Sequence, residues 1–99
     1  MFDLPTGSSS ERKSYMKFRK FLLEDGYRME QLSVYTRSCL GQDNVDTHLG
    51  RLRASLPEAG RVIALVLTEK QYEDRKVLVC SSGFEPKTAD LGSQMTLFL

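Results

Sequence analysis

Apolar residues recur at three- and four-residue intervals in two stretches of the chain and gather into short runs elsewhere. In the first stretch Tyr15, Phe18, Phe21 and Leu22 fall on one side of a helix, and Lys13, Lys17 and Lys20 fall on another. Ser8 and Glu11 have capping-box spacing, in which hydroxyl and carboxylate each satisfy a free backbone N–H, so the helix starts there. Gly26 can adopt the left-handed conformation that closes the helix after Asp25. In the second stretch, after "GQDNVD", Val45, Leu49, Leu52 and Leu56 keep helical spacing until Pro57 stops the helix.

The short runs read as strands. "YRMEQLSVYTRS", Tyr27 to Ser38, is apolar on odd numbers at Tyr27 and Met29 and on even numbers at Leu32 and Val34. A slip of one residue swaps the faces, which predicts a bend, bulge or tight hairpin near Glu30 to Ser33. "RVIALVLT", Arg61 to Thr68, is a near-continuous apolar run, expected as a strand covered on both faces or a central one. "EKQYEDR" reads as a turn or helical turn, and "KVLVC" as a last brief strand. The polar "SSGFEPKTADLGSQ" leads to an apolar "MTLFL". The order predicts an α+β fold of the ferredoxin-like β-α-β-β-α-β kind, an antiparallel sheet with two helices on one face. It divides the chain into a domain over residues 1–80, whose first strand has only Met1 and Phe2 before Asp3, and a linker with a docking strand over 81–99.

Length and charge narrow the classes. A chain of 99 residues is one domain with a modest core that would gain from burial in a dimer. A net charge of +1 excludes a globally basic nucleic-acid binder while leaving local patches open. No apolar run is long enough to span a bilayer, and no charged segment leads into an apolar one at the start. Cys39 and Cys80 lie far apart with no C-x-x-C pair. Free thiols of a cytoplasmic protein are expected, with a disulfide as the alternative.

Candidate chemistry lies in the first twenty residues. "GSSSERKS" matches a phosphate-binding loop except that Arg12 stands where the second glycine belongs. Its side chain fills the space the phosphates need, which excludes that site. Asp3 before Leu4 and Pro5 reads first as a hydrogen-bond acceptor for the turn. The functional alternative is a ligand for a hard metal such as magnesium, which wants several oxygens and one or two carboxylates. A two-fold dimer could set two copies of Asp3 face to face. Arg12, Lys13, Lys17, Arg19 and Lys20 crowd the first helix, and phosphate backbones are their natural partner. His48 has no second histidine or cysteine at metal spacing and is expected at the surface. Ser33 and Tyr35 have no neighbouring base in sequence, and no strand has the aromatic pattern of an RNA-recognition motif.

Taken together, "MFDLPT", "ERKSYMKFRKFLLEDGY", "QLSVYTRS", "LP-x-x-G-x-V" and "LTEKQY" closely resemble the small CRISPR-associated adaptation proteins of the Cas2 family, over about residues 1–76. The resemblance implies a ferredoxin-like homodimer at the centre of the spacer-acquisition integrase. There it would bridge copies of the larger integrase subunit and hold duplex DNA on its basic faces. It also implies a second label, magnesium-dependent nuclease on RNA or DNA, with Asp3 as metal ligand and catalytic carboxylate. By the same resemblance the five basic residues hold nucleic acid, and Ser33, Val34 and Tyr35 lie on the strand at the dimer centre. "KVLVC" covers the partner protomer's edge, leaving Met95, Leu97 and Phe98 to dock on a further edge of the dimer or on the integrase subunit. Deleting Gln94 to Leu99 is then expected to leave the dimer folded. The reading is a DNA-binding adaptation subunit, with a metal-dependent endonuclease as the alternative and a ligand-sensing ferredoxin-like dimer as the second alternative. The basic helix favours the first two.

Overall fold

The computed structural model describes residues 1–79 and 94–99. In chain order the elements are β1 (Phe2–Asp3), α1 (Ser9–Glu24), β2 (Arg28–Gln31), β3 (Val34–Cys39), α2 (Gln42–Ala54), β4 (Arg61–Val62), β5 (Leu65–Thr68), α3 (Glu69–Glu73) and β6 (Met95–Phe98). The fold is α+β and ferredoxin-like, with antiparallel sheets and three helices among the described residues.

Both long helices form where the periodicity puts them, except that α2 ends at Ala54 and leaves Leu56 outside it and exposed. The Ser8 hydroxyl accepts from the Glu11 N–H at 3.1 Å, and the Glu11 carboxylate accepts from the Ser8 N–H at 2.9 Å. Gly26 closes α1 at φ +92°, letting the Tyr27 N–H reach back to the Leu22 carbonyl at 3.0 Å. From α1, Phe18 and Leu22 enter the core; from α2, Val45 and Leu52 join them. The sheet contributes Tyr35, Cys39 and Leu97 to the same cluster. Phe2 lies at the junction, stacked on Tyr35 at 5.7 Å between ring centroids and edge-on to Phe18 at 5.3 Å.

The phase slip is a hairpin with a bulge. Met29 faces Tyr35, Gln31 faces Val34, and the register shifts between them, so Glu30 is the extra residue. Ser33 makes the turn at φ 62°. No glycine marked this turn because a serine adopts the left-handed conformation there, at a steric cost the hairpin offsets.

The centre of the sheet departs from the sequence reading. The larger sheet runs β2-β3-β6-β5, so β6 pairs with β3 on one side and β5 on the other. β1 pairs with β4, and its Phe2 N–H donates to the Ser33 carbonyl at 3.1 Å. Leu99 exchanges two hydrogen bonds with Tyr35, and the Met1 amine and carbonyl both bond Ile63. β1 and β6 therefore lie end to end in one lane, β1 filling only a short part of it and β6 the rest. Thr96, Leu97 and Leu99 are wholly buried there.

Three expectations change accordingly. The tail strand takes a place inside the chain's own sheet, where Met95, Leu97 and Phe98 pair with β3 and β5. "RVIALVLT" is two strands with Ile63 and Ala64 between them, because its first half faces β1 and its second half β6. Nor is it covered on both faces: Leu65 and Val66 are exposed, and among the described residues β5 is an edge strand. Residues 76–79 form no strand, and Val77, Leu78 and Val79 are exposed; Cys80 and the linker to 93 lie outside the described residues.

On the opposite side of the sheet, α3 starts with a second capping box between Thr68 and Gln71. Its Tyr72 is buried, and the Tyr72 and Thr36 hydroxyls both donate to one Glu30 oxygen. Burial, and then the adjacent Glu30 carboxylate, push the Tyr72 hydroxyl well above its ordinary pKa. Arg75 caps the Tyr72 ring at 4.0 Å.

Candidate nucleic-acid interface and strand-end aspartate

Asp3 ends β1 with its side chain exposed, opposite Arg61. Its position is set by burial of Phe2 before it and by Gly60 beside it. Gly60 has φ +97°, and a Cβ there would lie 2.6 Å from the Asp3 carbonyl oxygen and 3.0 Å from Leu4 Cα. Only glycine lets the two backbones approach so closely, which gives the glycine of "LP-x-x-G-x-V" a physical reason. Among the described residues no group of three or more His, Cys, Asp or Glu could hold a metal ion. Asp3 alone falls short of the oxygen set magnesium needs, so the described residues of one chain do not by themselves fit that ion.

The five basic residues of α1 separate. Lys13, Lys17 and Lys20 share one stripe and line a cleft of about 850 Å³ between α1 and the segment from Ala54 to Ala59. Arg12 folds back instead, donating to the Thr6 and Gly7 carbonyls at 3.3 and 3.4 Å. Arg19 sits half-buried beside Met16 and Leu23, off that cleft. Lys20 pairs loosely with Glu24 at 3.8 Å on an exposed face, which contributes little to stability. Ser33 is the hairpin turn, Val34 is half-buried, and Tyr35 belongs to the chain's own core.

The histidine expected at the surface is buried. His48 Nδ1 lies 2.7 Å from Asp25 Oδ2, and Arg51 Nη1 donates to Asp25 Oδ1 at 2.9 Å. Arg37 Nε donates to the Asp25 carbonyl at 2.8 Å, so the end of α1 is tied to α2 and β3 through one residue. The signal was present: His48 follows Val45 by three and precedes Leu52 by four, on the apolar face of α2. Burial raises the Asp25 pKa, but hydrogen bonds from His48 and Arg51 and the charges of both outweigh it, leaving the carboxyl below its ordinary 3.8. A carboxylate depressed in the folded state stabilises the fold above its unfolded pKa, and that contribution is lost as pH falls through the folded value. Urea unfolding across acidic pH should therefore show the wild type losing its advantage over Asp25→Asn as pH drops below 3.8. A gap between the two that stays constant down to the acid limit would contradict this.

A single α+β domain carrying a strand-end aspartate, a basic first helix and a bulged hairpin defines a small ferredoxin-like protein. The sequence model for "CRISPR associated protein Cas2" matches residues 1–75, and the chain belongs to that family. Its relatives share the name "CRISPR-associated endoribonuclease Cas2". The one from Acidovorax ebreus (strain TPSY) is 45% identical over 97 residues, covering 98% of this chain and 94% of the relative. That from Parvibaculum lavamentivorans is 43% identical over 98 residues, covering 99% and 95%. That from Flavobacterium psychrophilum is 46% identical over 93 residues, covering 94% and 78%. No helix among the described residues is long and apolar enough to cross a membrane.

Proposed function

We propose that this chain acts in CRISPR adaptation as a DNA-binding homodimer that scaffolds the larger integrase subunit. The observation that carries the DNA-binding part is the stripe of Lys13, Lys17 and Lys20 along one cleft-facing side of α1. Lysines at helical spacing present repeated point charges to a phosphate backbone without reading its sequence. Support for a second copy comes from β5, an edge strand among the described residues, and from Val77, Leu78 and Val79, exposed by 49, 89 and 86%. An apolar edge and an apolar extended segment on one small chain are a liability unless covered. A monomer by light scattering at micromolar concentration would remove the dimer.

The test of DNA binding is a salt titration. Changing Lys13, Lys17 and Lys20 together to Ala should weaken duplex binding and lower the salt slope by about 0.9 per lost phosphate contact. Arg12→Ala should change the slope less, because its guanidinium is engaged with the Thr6–Gly7 backbone. An unchanged slope in the triple variant would place the DNA elsewhere.

A second reading, a metal-dependent endonuclease on RNA or DNA, is favoured by the relatives' names. Asp3 would be its carboxylate, with a second copy supplying further oxygens, because the described residues of one chain offer too few. Asp3→Asn separates the readings. Cleavage in magnesium that survives the substitution overturns Asp3 as the catalytic carboxylate, and lost integration with intact DNA binding overturns a purely structural role for Asp3.

A further inference from the structure

We propose that the outward face of α1, a seam of Met16, Arg19 and Leu23 flanked by Lys17 and Lys20, docks an acidic amphipathic helix of another protein. The docking does not depend on nucleic-acid binding by the lysine stripe.

The two sides of α1 differ in what they meet. Phe18 and Leu22 enter the core, whereas Met16 and Leu23 stay outside it, exposed by 57 and 43%. Those two side chains are two helical turns apart, so they stand in one row with about 10 Å between them along the axis. Arg19 lies half-buried between them, beside both. The alternating three- and four-residue spacing is that of a coiled-coil seam, in which side chains of one helix fit between those of its partner. With Lys17, Lys20 and Glu24 the seam forms a shallow groove of about 590 Å³, lined by α1 alone.

Charge selects the occupant. Lys17, Arg19 and Lys20 line the groove against one carboxylate, Glu24, which already lies 3.8 Å from Lys20. Among the described residues neither Lys17 nor Arg19 is in an ion pair. A second copy of α1 would set these cations against their like. A phosphate backbone would meet the charges but leave Met16 and Leu23 with nothing apolar to cover them. An anionic membrane needs a broad apolar face, and the other large apolar side chains of α1 are wholly or partly buried in the core. A helix with leucines at heptad spacing and glutamates beside them supplies both kinds of contact. Arg19 serves both, its stem covering apolar surface and its guanidinium taking a carboxylate bidentately.

The probe is a fluorescent synthetic peptide of roughly three heptads, with leucine at the seam positions and glutamate beside them, titrated on the full-length protein by anisotropy. Its controls are a scrambled peptide of the same composition and one with glutamine for every glutamate. The expected result is about tenfold tighter binding of the acidic heptad peptide than of either control. Met16→Ser and Leu23→Ser together should erase that preference, and Arg19→Glu alone should weaken the acidic peptide about tenfold. Thermal melting confirms that both variants fold. Both keep Lys13, Lys17 and Lys20, so duplex DNA binding by the serine variant should equal that of the wild type, and the groove and the lysine stripe can fail separately. Equal binding of the acidic and scrambled peptides overturns the proposal, as does a preference that survives the serine substitutions. A lower mass of the serine variant by light scattering would assign the face to a second copy instead. Binding of the wild type but not the serine variant to vesicles of anionic lipid, with no preference among the peptides, would assign it to a membrane. Either result overturns the helix.

Discussion

Removing residues 94–99 is expected to unfold this chain. β6 is a central strand, hydrogen-bonded to β3 and β5, so its loss leaves two unpaired edges where the sheet was continuous. Thr96, Leu97 and Leu99 are wholly buried, and their removal opens the core beneath both long helices. Leu97→Ala tests the same point with the backbone kept: a fully buried leucine in a central strand should cost about 2–5 kcal/mol. Small domains have only about 5–15 kcal/mol in total, so that single change removes a large part of the stability. Leu40→Ala, at a residue 69% exposed, should stay within about 0.5 kcal/mol as a control. A truncated chain with native far-UV circular dichroism and a cooperative melt at the wild-type temperature would show that β6 is dispensable. That outcome would restore the tail as a docking segment.

Gly60→Ala should destabilise the chain by about 2–4 kcal/mol, through a left-handed backbone and a clash together. The clash is with the Asp3 carbonyl oxygen and Leu4 Cα, backbone atoms that no side-chain rotation can move aside. Relief requires β1 to shift, which carries Asp3 with it and loosens Phe2 from Tyr35 and Phe18. Gly50→Ala provides the contrast. It lies inside α2 with nothing within 4 Å of a new Cβ, so the substitution should stabilise by about 0.5–1 kcal/mol. Urea unfolding of both variants checks the opposite signs. A Gly60→Ala protein as stable as the wild type would show that β1 and β4 do not approach as closely as described.

The amino-acid sequence by itself determined the elements whose cause is local. Both long helices follow from periodicity and their stop signals, because Ser8, Glu11, Gly26 and Pro57 act within a turn of the backbone they satisfy or block. The slip between Met29 and Leu32 announced the bulged hairpin for the same reason: strand faces alternate residue by residue. The order of elements was enough for the ferredoxin-like class, and the motifs for the family. Tertiary structure decided what depends on neighbours distant in sequence. "MTLFL" has the β-propensity to pair with any sheet edge, and only the space beside the short β1 assigns it to the chain's own centre. "RVIALVLT" breaks in two because it faces β1 along one half and β6 along the other, which its own composition does not encode. His48 needed a buried acceptor to be stable inside, and Asp25 reaches it from the far end of another helix. The basic residues of α1 were legible as a set, but helix phase, the loop at Thr6 and the Ala54–Ala59 wall separated three lysines on a cleft from two arginines off it.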